Sequence, residues 1–157
     1  MHFPIIQISD CPLEKEDYIS MFSVCEDSTI QAWTDYVGDE YSEQKRKELI
    51  CSSWFKQLWD GIAVVDTEKE TITYLDVETI YRTLKAEYQK KIDSIQESLE
   101  SGTMCSAWKF RNEGYRWRNF CSLFFDGCGM TSMELIEDAP YNAGKTFYIG
   151  GILDAHF

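Results

Sequence analysis

The two histidines are the first residues to consider for chemistry, because histidine readily exchanges a proton near neutral pH. His2 and His156 lie at opposite ends of the sequence. If the first and last strands pair, the two rings meet, and Asp154 lies on the same strand face as His156. The trio suggests a metal or acid–base site. We expect instead that these three side chains face solvent, since chain ends are often poorly ordered.

Cys128 is the second candidate, because it lies between Gly127 and Gly129, and glycines let a backbone approach a ligand closely. A thiolate nucleophile needs a base within hydrogen-bonding reach, and only the terminal histidines are available. None of the six cysteines belongs to a CxxC pair, so we expect reduced thiols and no bound metal or cofactor. Phosphate-loop, dinucleotide-binding, zinc-protease and nucleophile-elbow motifs are also absent. Nothing in the sequence argues for an enzyme.

Residues 108–118 mix aromatic and basic side chains, the composition of a platform for single-stranded nucleic acid. A hairpin turning at residues 111–114 would place the rings on one face and Lys109, Arg116 and Arg118 on the other. The net charge of −12 also opposes binding to a polyanion. We therefore expect the rings in the core and the basic face in water, with no direct binding of nucleic acid.

Acidic residues are concentrated at the start of the chain. Residues 1–43 contain ten acids and one lysine and so carry −9 of the total of −12. Such a surface either keeps the protein in solution or selects a basic partner. Aromatic residues among the acids favour a partner, because tyrosine and tryptophan anchor interfaces. The predicted partner-binding residues are Glu26, Asp27, Trp33, Asp35, Tyr36, Asp39, Glu40, Tyr41 and Glu43.

The leading hypothesis is therefore a non-enzymatic inhibitor that covers the basic surface of a nucleic-acid-processing enzyme, as anti-CRISPR, anti-restriction and toxin-immunity proteins do. Its carboxylates would take the place of phosphates. The alternative is a small enzyme or ligand-binding domain with a pocket near the aromatic hairpin, using Cys128, Asp154 or His156. A concave pocket with a perturbed thiol or imidazole would favour this alternative.

The chain is expected to form a single domain over residues 1–157, because no linker, repeat or low-complexity tract divides it. It has neither the pattern of a secretory signal nor an apolar run of the roughly 20 residues that span a bilayer. We therefore expect a cytoplasmic protein with no membrane contact.

The expected fold class is α+β, with a mostly antiparallel sheet built from two hairpins plus terminal strands and covered by about four helices. Apolar runs predict strands at 3–8, 62–66, 71–75 and 146–153, and the second hairpin should pair 104–110 with 115–125. Residues 126–129 have the composition of a turn, and Gly150-Gly151 marks a bulge or a close backbone approach.

Capping residues and apolar spacing predict the helices, which we place near 12–22, 27–38, 42–60, 77–100 and 130–138. The helix over 77–100 has the clearest period. We expect its apolar stripe, which includes Tyr81, Leu84, Tyr88 and Ile92, to pack into the core.

Overall fold

The computed structural model describes residues 2–24, 30, 34–101, 122–125, 128–131 and 137–156, with the backbone alone for 101, 122–125 and 128–131. The predicted α+β class is confirmed. In chain order the elements are β1 (His2–Ser9), a 3₁₀ helix (Lys15–Asp17), α1 (Met21–Val24), β2 (Tyr36–Glu40), α2 (Glu43–Cys51), α3 (Ser53–Leu58), β3 (Ala63–Asp66), β4 (Thr71–Tyr74), α4 (Val77–Ser101), β5 (Ser122–Phe125), β6 (Cys128–Thr131), a second 3₁₀ helix (Ala139–Asn142) and β7 (Thr146–His156).

The strands of the described residues form one sheet in the order β3-β4-β7-β1-β5-β6, and β2 also pairs with β7. Every pairing is antiparallel except that of β1 with β5. On one edge, the 11-residue β7 pairs first with β4 and then, near its end, with β2. Its other edge pairs with β1 along nearly its whole length. The last strand in the sequence is thus central in the sheet.

The core lies on both faces of β1, as its unbroken apolar run requires. Ile6 and Ile8 pack into a large cluster with side chains of α2, α3 and α4. Phe3 and Ile5 point to the opposite face and pack with Ile19, Val24 and Ile30. The sheet is therefore covered on both sides.

A β-bulge interrupts β7 at the predicted glycine pair. Ile6 pairs with Ile152 and Ile8 with Ile149, so Gly150 and Gly151 together oppose Gln7. A Cβ atom on Gly150 would lie 2.3 Å from the Gln7 Oε1, and one on Gly151 would lie 3.1 Å from the Ile19 backbone nitrogen. Only glycine leaves room for these neighbours, so the predicted bulge and close approach are both confirmed.

The helix predicted from Ser42 to Asp60 is present but divided. The Ser42 hydroxyl accepts a hydrogen bond from the Lys45 backbone N–H and caps α2. At Ser52 the backbone becomes extended, and its hydroxyl caps α3 by accepting from the Phe55 N–H at 3.1 Å. The apolar side is oriented as predicted, because Ile50, Phe55 and Leu58 are buried.

Helix α4 has the predicted bounds but not the predicted orientation. Leu84 is buried, together with Ile80 from outside the predicted stripe. Tyr81, Tyr88 and Ile92 are instead exposed. The expectation that they pack into the core is therefore wrong, because the face that meets the core lies about one residue, or 100°, around the helix.

Other corrections concern short segments. Residues 12–22 form only a 3₁₀ turn and the start of α1, and residues 36–38 lie in strand β2 rather than at the end of a helix. Residues 128–131 form β6 and pair with β5, so 128–129 are not a turn and 130–131 are not helical. Residues 132–136 of the predicted helix lie outside the described residues, and residues 137–138 are helical. Most of the predicted second hairpin, 104–110 and 115–121, lies outside the described residues.

Candidate protein-binding site

Strand β2 carries three of the predicted partner-binding residues, Tyr36, Asp39 and Glu40. It pairs with the end of β7, with Tyr36 opposite His156 and Glu40 opposite Leu153. On its other side β2 pairs with no strand among the described residues, so it is an edge of the sheet there. The pairing continues to Asp35, whose backbone N–H donates to the His156 carbonyl at 2.7 Å.

Three carboxylates lie along this edge. Asp35, Asp39 and Glu40 are all exposed, and no lysine or arginine among the described residues forms an ion pair with them. Tyr36 exposes 54% of its surface beside them, whereas Val37 is half-buried and packs on the core. The edge thus presents negative charge and one large aromatic ring.

Glu43 differs from these acids, because its charge is already balanced within the protein. Lys15 and Lys47 both donate hydrogen bonds to its carboxylate, the latter at 3.1 Å. These two bonds, that of Lys15 above all, lower the pKa of Glu43 from 4.5 to about 2. Glu43 is therefore a poorer contact for a basic partner than its neighbours.

Tyr41 lies where β2 ends and α2 begins. Its backbone N–H donates to the Ile152 carbonyl at 2.8 Å, and the Lys45 ammonium lies 5.2 Å from the ring centroid. Partial burial raises the pKa of its hydroxyl. The remaining predicted partner-binding residues, Glu26, Asp27 and Trp33, lie outside the described residues.

A polar cavity of about 710 Å³ opens next to this edge. Glu40 and Tyr41 form part of its wall, and Arg46 belongs to its lining. The cavity lies where β7 has no partner strand, between its pairing with β4 and its pairing with β2. The rest of the lining comes from Lys15, Glu16, Tyr18, Ile19, Ser20, Ser23, Glu43, Lys47, Glu70, Gly151 and Ile152.

Arg46 fills that gap in the sheet and is only 5% exposed. Its Nε donates to the Gly150 carbonyl at 2.6 Å, and its Nη2 donates to the Ile149 carbonyl at 2.6 Å and to Glu70 Oε2 at 2.7 Å. Its guanidinium also lies over the Tyr18 ring, at 5.1 Å. No hydrogen bond of the remaining nitrogen, Nη1, is found among the described residues, and Arg46 belongs to the cavity lining.

The terminal residues meet as the strand pairing predicts. His2 is the register partner of His156, and their ring centroids lie 5.0 Å apart. His2 Nδ1 lies 2.8 Å from Asp154 Oδ2, and the Tyr36 ring stacks on His156 at 5.3 Å. Among the described residues, no group of three or more histidine, cysteine, aspartate or glutamate side chains is arranged to hold a metal ion.

Cys128 lies far from this trio. Cys128 pairs with Phe125 of β5, and Phe125 pairs with Ile8 of β1. The trio lies at the other end of β1, at His2. The step of six residues from His2 to Ile8 along β1 spans about 20 Å. The register therefore separates Cys128 from Asp154 and His156, and the described cavities contain none of the three.

The basic residues of the second predicted hairpin, Lys109, Arg116 and Arg118, lie outside the described residues.

Sequence reasoning missed two polar side chains that organise this region, Gln7 and Arg46. Gln7 sits inside an apolar run, and Arg46 lies four residues before the buried Ile50, on the same helix face. A polar residue on a core-facing position is the signal that could have revealed them.

In the described part of the chain, no helix is long and apolar enough to cross a membrane.

Comparison with known proteins adds no relationship to this description. No protein-family model matches the chain, and neither a curated protein nor a solved structure is significantly similar to it.

Proposed function

We propose that the chain is a non-enzymatic binding protein of the cytoplasm that docks the acidic edge strand β2 against a basic surface of another protein. The observation that carries this proposal is the set of three exposed carboxylates, Asp35, Asp39 and Glu40, none of which forms an ion pair with a lysine or arginine among the described residues. Charged groups at an interface steer encounter and reject partners of the same sign.

The edge position of β2 supports the same function. An unpaired edge offers backbone N–H and carbonyl groups to an added strand, and its side chains decide which strand is accepted. Acidic residues on such an edge oppose pairing with another acidic chain, so a basic segment is favoured. Tyr36, more than half exposed, would supply the apolar anchor.

A nucleic-acid-processing enzyme is the partner class that this chemistry fits best. Such enzymes present clusters of lysine and arginine that normally neutralise phosphates. Carboxylates spaced along a rigid strand compete for the same cations. The proposed activity is therefore inhibition by occlusion, the activity of anti-CRISPR, anti-restriction and toxin-immunity proteins.

The test is a capture experiment from the native host, with bound proteins identified by mass spectrometry and their binding then measured with purified components. Replacing Asp35, Asp39 and Glu40 by lysine should slow association strongly, and the loss should shrink as salt is raised. The matched control reverses Glu48, Glu68 and Glu78, which are exposed on other elements and change the net charge equally.

Two results would overturn the proposal. Equal losses in the edge variant and in the control variant would show that only net charge matters. Normal binding by the edge variant, with failure of a variant reversed at Lys109, Arg116 and Arg118, would assign binding to the second predicted hairpin instead.

The cavity supports a second candidate function, the binding of a small polar ligand. Arg46 lines the cavity, and Glu16 and Glu40 on its wall form no ion pair with the described residues. A ligand with both a carboxylate and an ammonium group would satisfy these groups together. Amino acids and short peptides at millimolar concentration should then raise the melting temperature, and replacing Glu16 and Glu40 by glutamine should abolish the shift. An unchanged melting temperature throughout the series would remove this candidate.

A further inference from the structure

Helix α4 leaves an apolar stripe in solvent. Tyr81 is 58% exposed, Ile92 is 50% exposed and Leu99 is 65% exposed, and Val77 and Tyr88 are nearly half exposed. Each of Tyr81, Tyr88, Ile92 and Leu99 directly follows a residue that is more buried than itself. The helix therefore packs on the core through the face that contains Ile80 and Leu84. Its most apolar face points outward. A row of exposed apolar side chains on one helix face is a candidate interaction site.

The stripe repeats every eleven residues. Val77, Tyr88 and Leu99 are spaced by eleven, and so are Tyr81 and Ile92. Eleven residues make almost exactly three turns of an α-helix, so the stripe runs nearly straight along the helix axis. Over the 22 residues from Val77 to Leu99 it is about 33 Å long. A straight seam of this length fits another straight helix.

The charges beside the stripe identify which helix fits. On one flank the first half of α4 carries Arg82 and Lys85 with a single acid, Glu78, and the second half carries Asp93 and Glu100. Arg82, Lys85, Asp93 and Glu100 are exposed, and their only described side-chain bonds are those of Arg82 to Thr79 and of Asp93 to Gln89. A second α4 running in the opposite direction brings the basic half of each copy against the acidic half of the other.

The neighbouring 3₁₀ helix supplies a groove for the incoming side chains. A cavity of about 420 Å³ lies between α4 and this helix, with Tyr81, Leu84 and Tyr88 on one side and Pro140 and Tyr141 on the other. Tyr141 is 80% exposed, and Lys85 also lines the groove. The groove thus has mostly apolar walls, and its two charged lining residues, Lys85 and Glu137, have opposite signs.

We propose that two copies of this chain associate through α4 in an antiparallel pair. Tyr81 of each copy packs near Leu99 of the other, and Tyr88 packs near Ile92. Lys85 then lies close to Asp93 of the second copy, and Arg82 lies close to Glu100. Because the contact is isologous, each such pair forms twice across the two-fold axis.

The experiment measures molar mass by light scattering during size-exclusion chromatography, from about 1 to about 200 µM protein. The unmodified chain should approach the mass of a dimer as its concentration rises. The basic-side variant (Arg82→Glu with Lys85→Glu) and the acid-side variant (Asp93→Lys with Glu100→Lys) should each remain monomeric. A control variant, Lys90→Glu with Glu97→Lys, changes the opposite face and should dimerise normally.

Mixing the two monomeric variants is the decisive step. In an antiparallel pair, the new glutamates of one variant meet the new lysines of the other, so the mixture should form a heterodimer. A mixture that stays monomeric would overturn the antiparallel arrangement, and so would dimerisation of either variant alone. A monomeric unmodified chain at the highest concentration would overturn the proposal itself. Far-ultraviolet circular dichroism of each variant confirms that the helix is intact.

Discussion

At the scale of single residues, Gln7 connects three parts of the fold. Its Oε1 accepts hydrogen bonds from the backbone N–H groups of Ile19 and Gly151, both at 2.9 Å, and its Nε2 donates to the Asp17 carbonyl at 3.0 Å. Because Gln7 is buried and makes these three hydrogen bonds, its amide stabilises the bulge in β7 and the segment that covers it.

Replacing Gln7 by methionine keeps the shape of the side chain but leaves two backbone N–H groups without an acceptor. The expected loss in the free energy of unfolding is about 2 to 5 kcal/mol, since each unsatisfied buried donor costs about 1 to 3 kcal/mol. Urea unfolding followed by circular dichroism measures it. The same change at the exposed Gln89 serves as a control and should cost under about 0.5 kcal/mol. Equal small effects at both positions would contradict the role assigned to Gln7.

Glu43 should titrate well below the other glutamates. Carbon-13 NMR of its carboxyl group should report a pKa near the value of about 2 that its bonds to Lys15 and Lys47 impose. Because the pKa is lowered by folding, these bonds stabilise the fold fully above pH 4.5, and their contribution is lost as the pH falls through about 2. Lys15→Met should raise the pKa of Glu43 more than Lys47→Met does. A Glu43 that titrates with the other glutamates would show that the bridge does not persist in solution.

Neither Gln7 nor Arg46 could have been assigned a role from the sequence. Both roles depend on backbone groups that lie more than a hundred residues away, at Ile149, Gly150 and Gly151. The glycine pair predicted the bulge, but no local pattern shows which side chains fill it. Long-range partners of this kind appear only once the strands are paired.

At the scale of elements, local patterns predicted the hairpin of β3 and β4, the last strand and the length of α4. They failed at β2, because Ile30, Trp33 and Val37 have the spacing of a helix face. The structure pairs Tyr36 and Val37 with the end of β7 instead. Tertiary pairing therefore prevails over a weak local preference there.

The orientation of α4 was also beyond local reasoning, since the most apolar face normally packs inward. The free energy of unfolding should therefore respond differently to truncation at Leu84 and at Tyr81. Leu84→Ala should lower the free energy of unfolding by about 2 to 5 kcal/mol, because Leu84 is buried. Tyr81→Ala should change it by less than about 1 kcal/mol at low protein concentration, where copies do not associate. Equal losses at the two positions would mean that the stripe packs inward after all.

At the scale of the whole molecule, the redox state of the cysteines reports the compartment in which the chain works. Cys11 and Cys51 are free thiols on the surface. Titration of the denatured protein without reductant should find all six cysteines reactive, and pretreatment with a reductant should not increase the number. Two or more thiols that appear only after reduction would instead indicate a disulfide and an oxidising compartment.

The central position of β7 determines the order in which the chain can mature on the ribosome. Residues 146–156 are synthesised after β1 to β6, yet β1, β2 and β4 all pair with them. Until they emerge, β3 with β4, and β1 with β5 and β6, are separate pieces that lack the strand that joins them in the sheet. Such pieces attract chaperones and aggregate easily, and contacts this distant in sequence form slowly. A chain released at residue 145 should therefore be a substrate for proteolysis rather than a smaller folded protein.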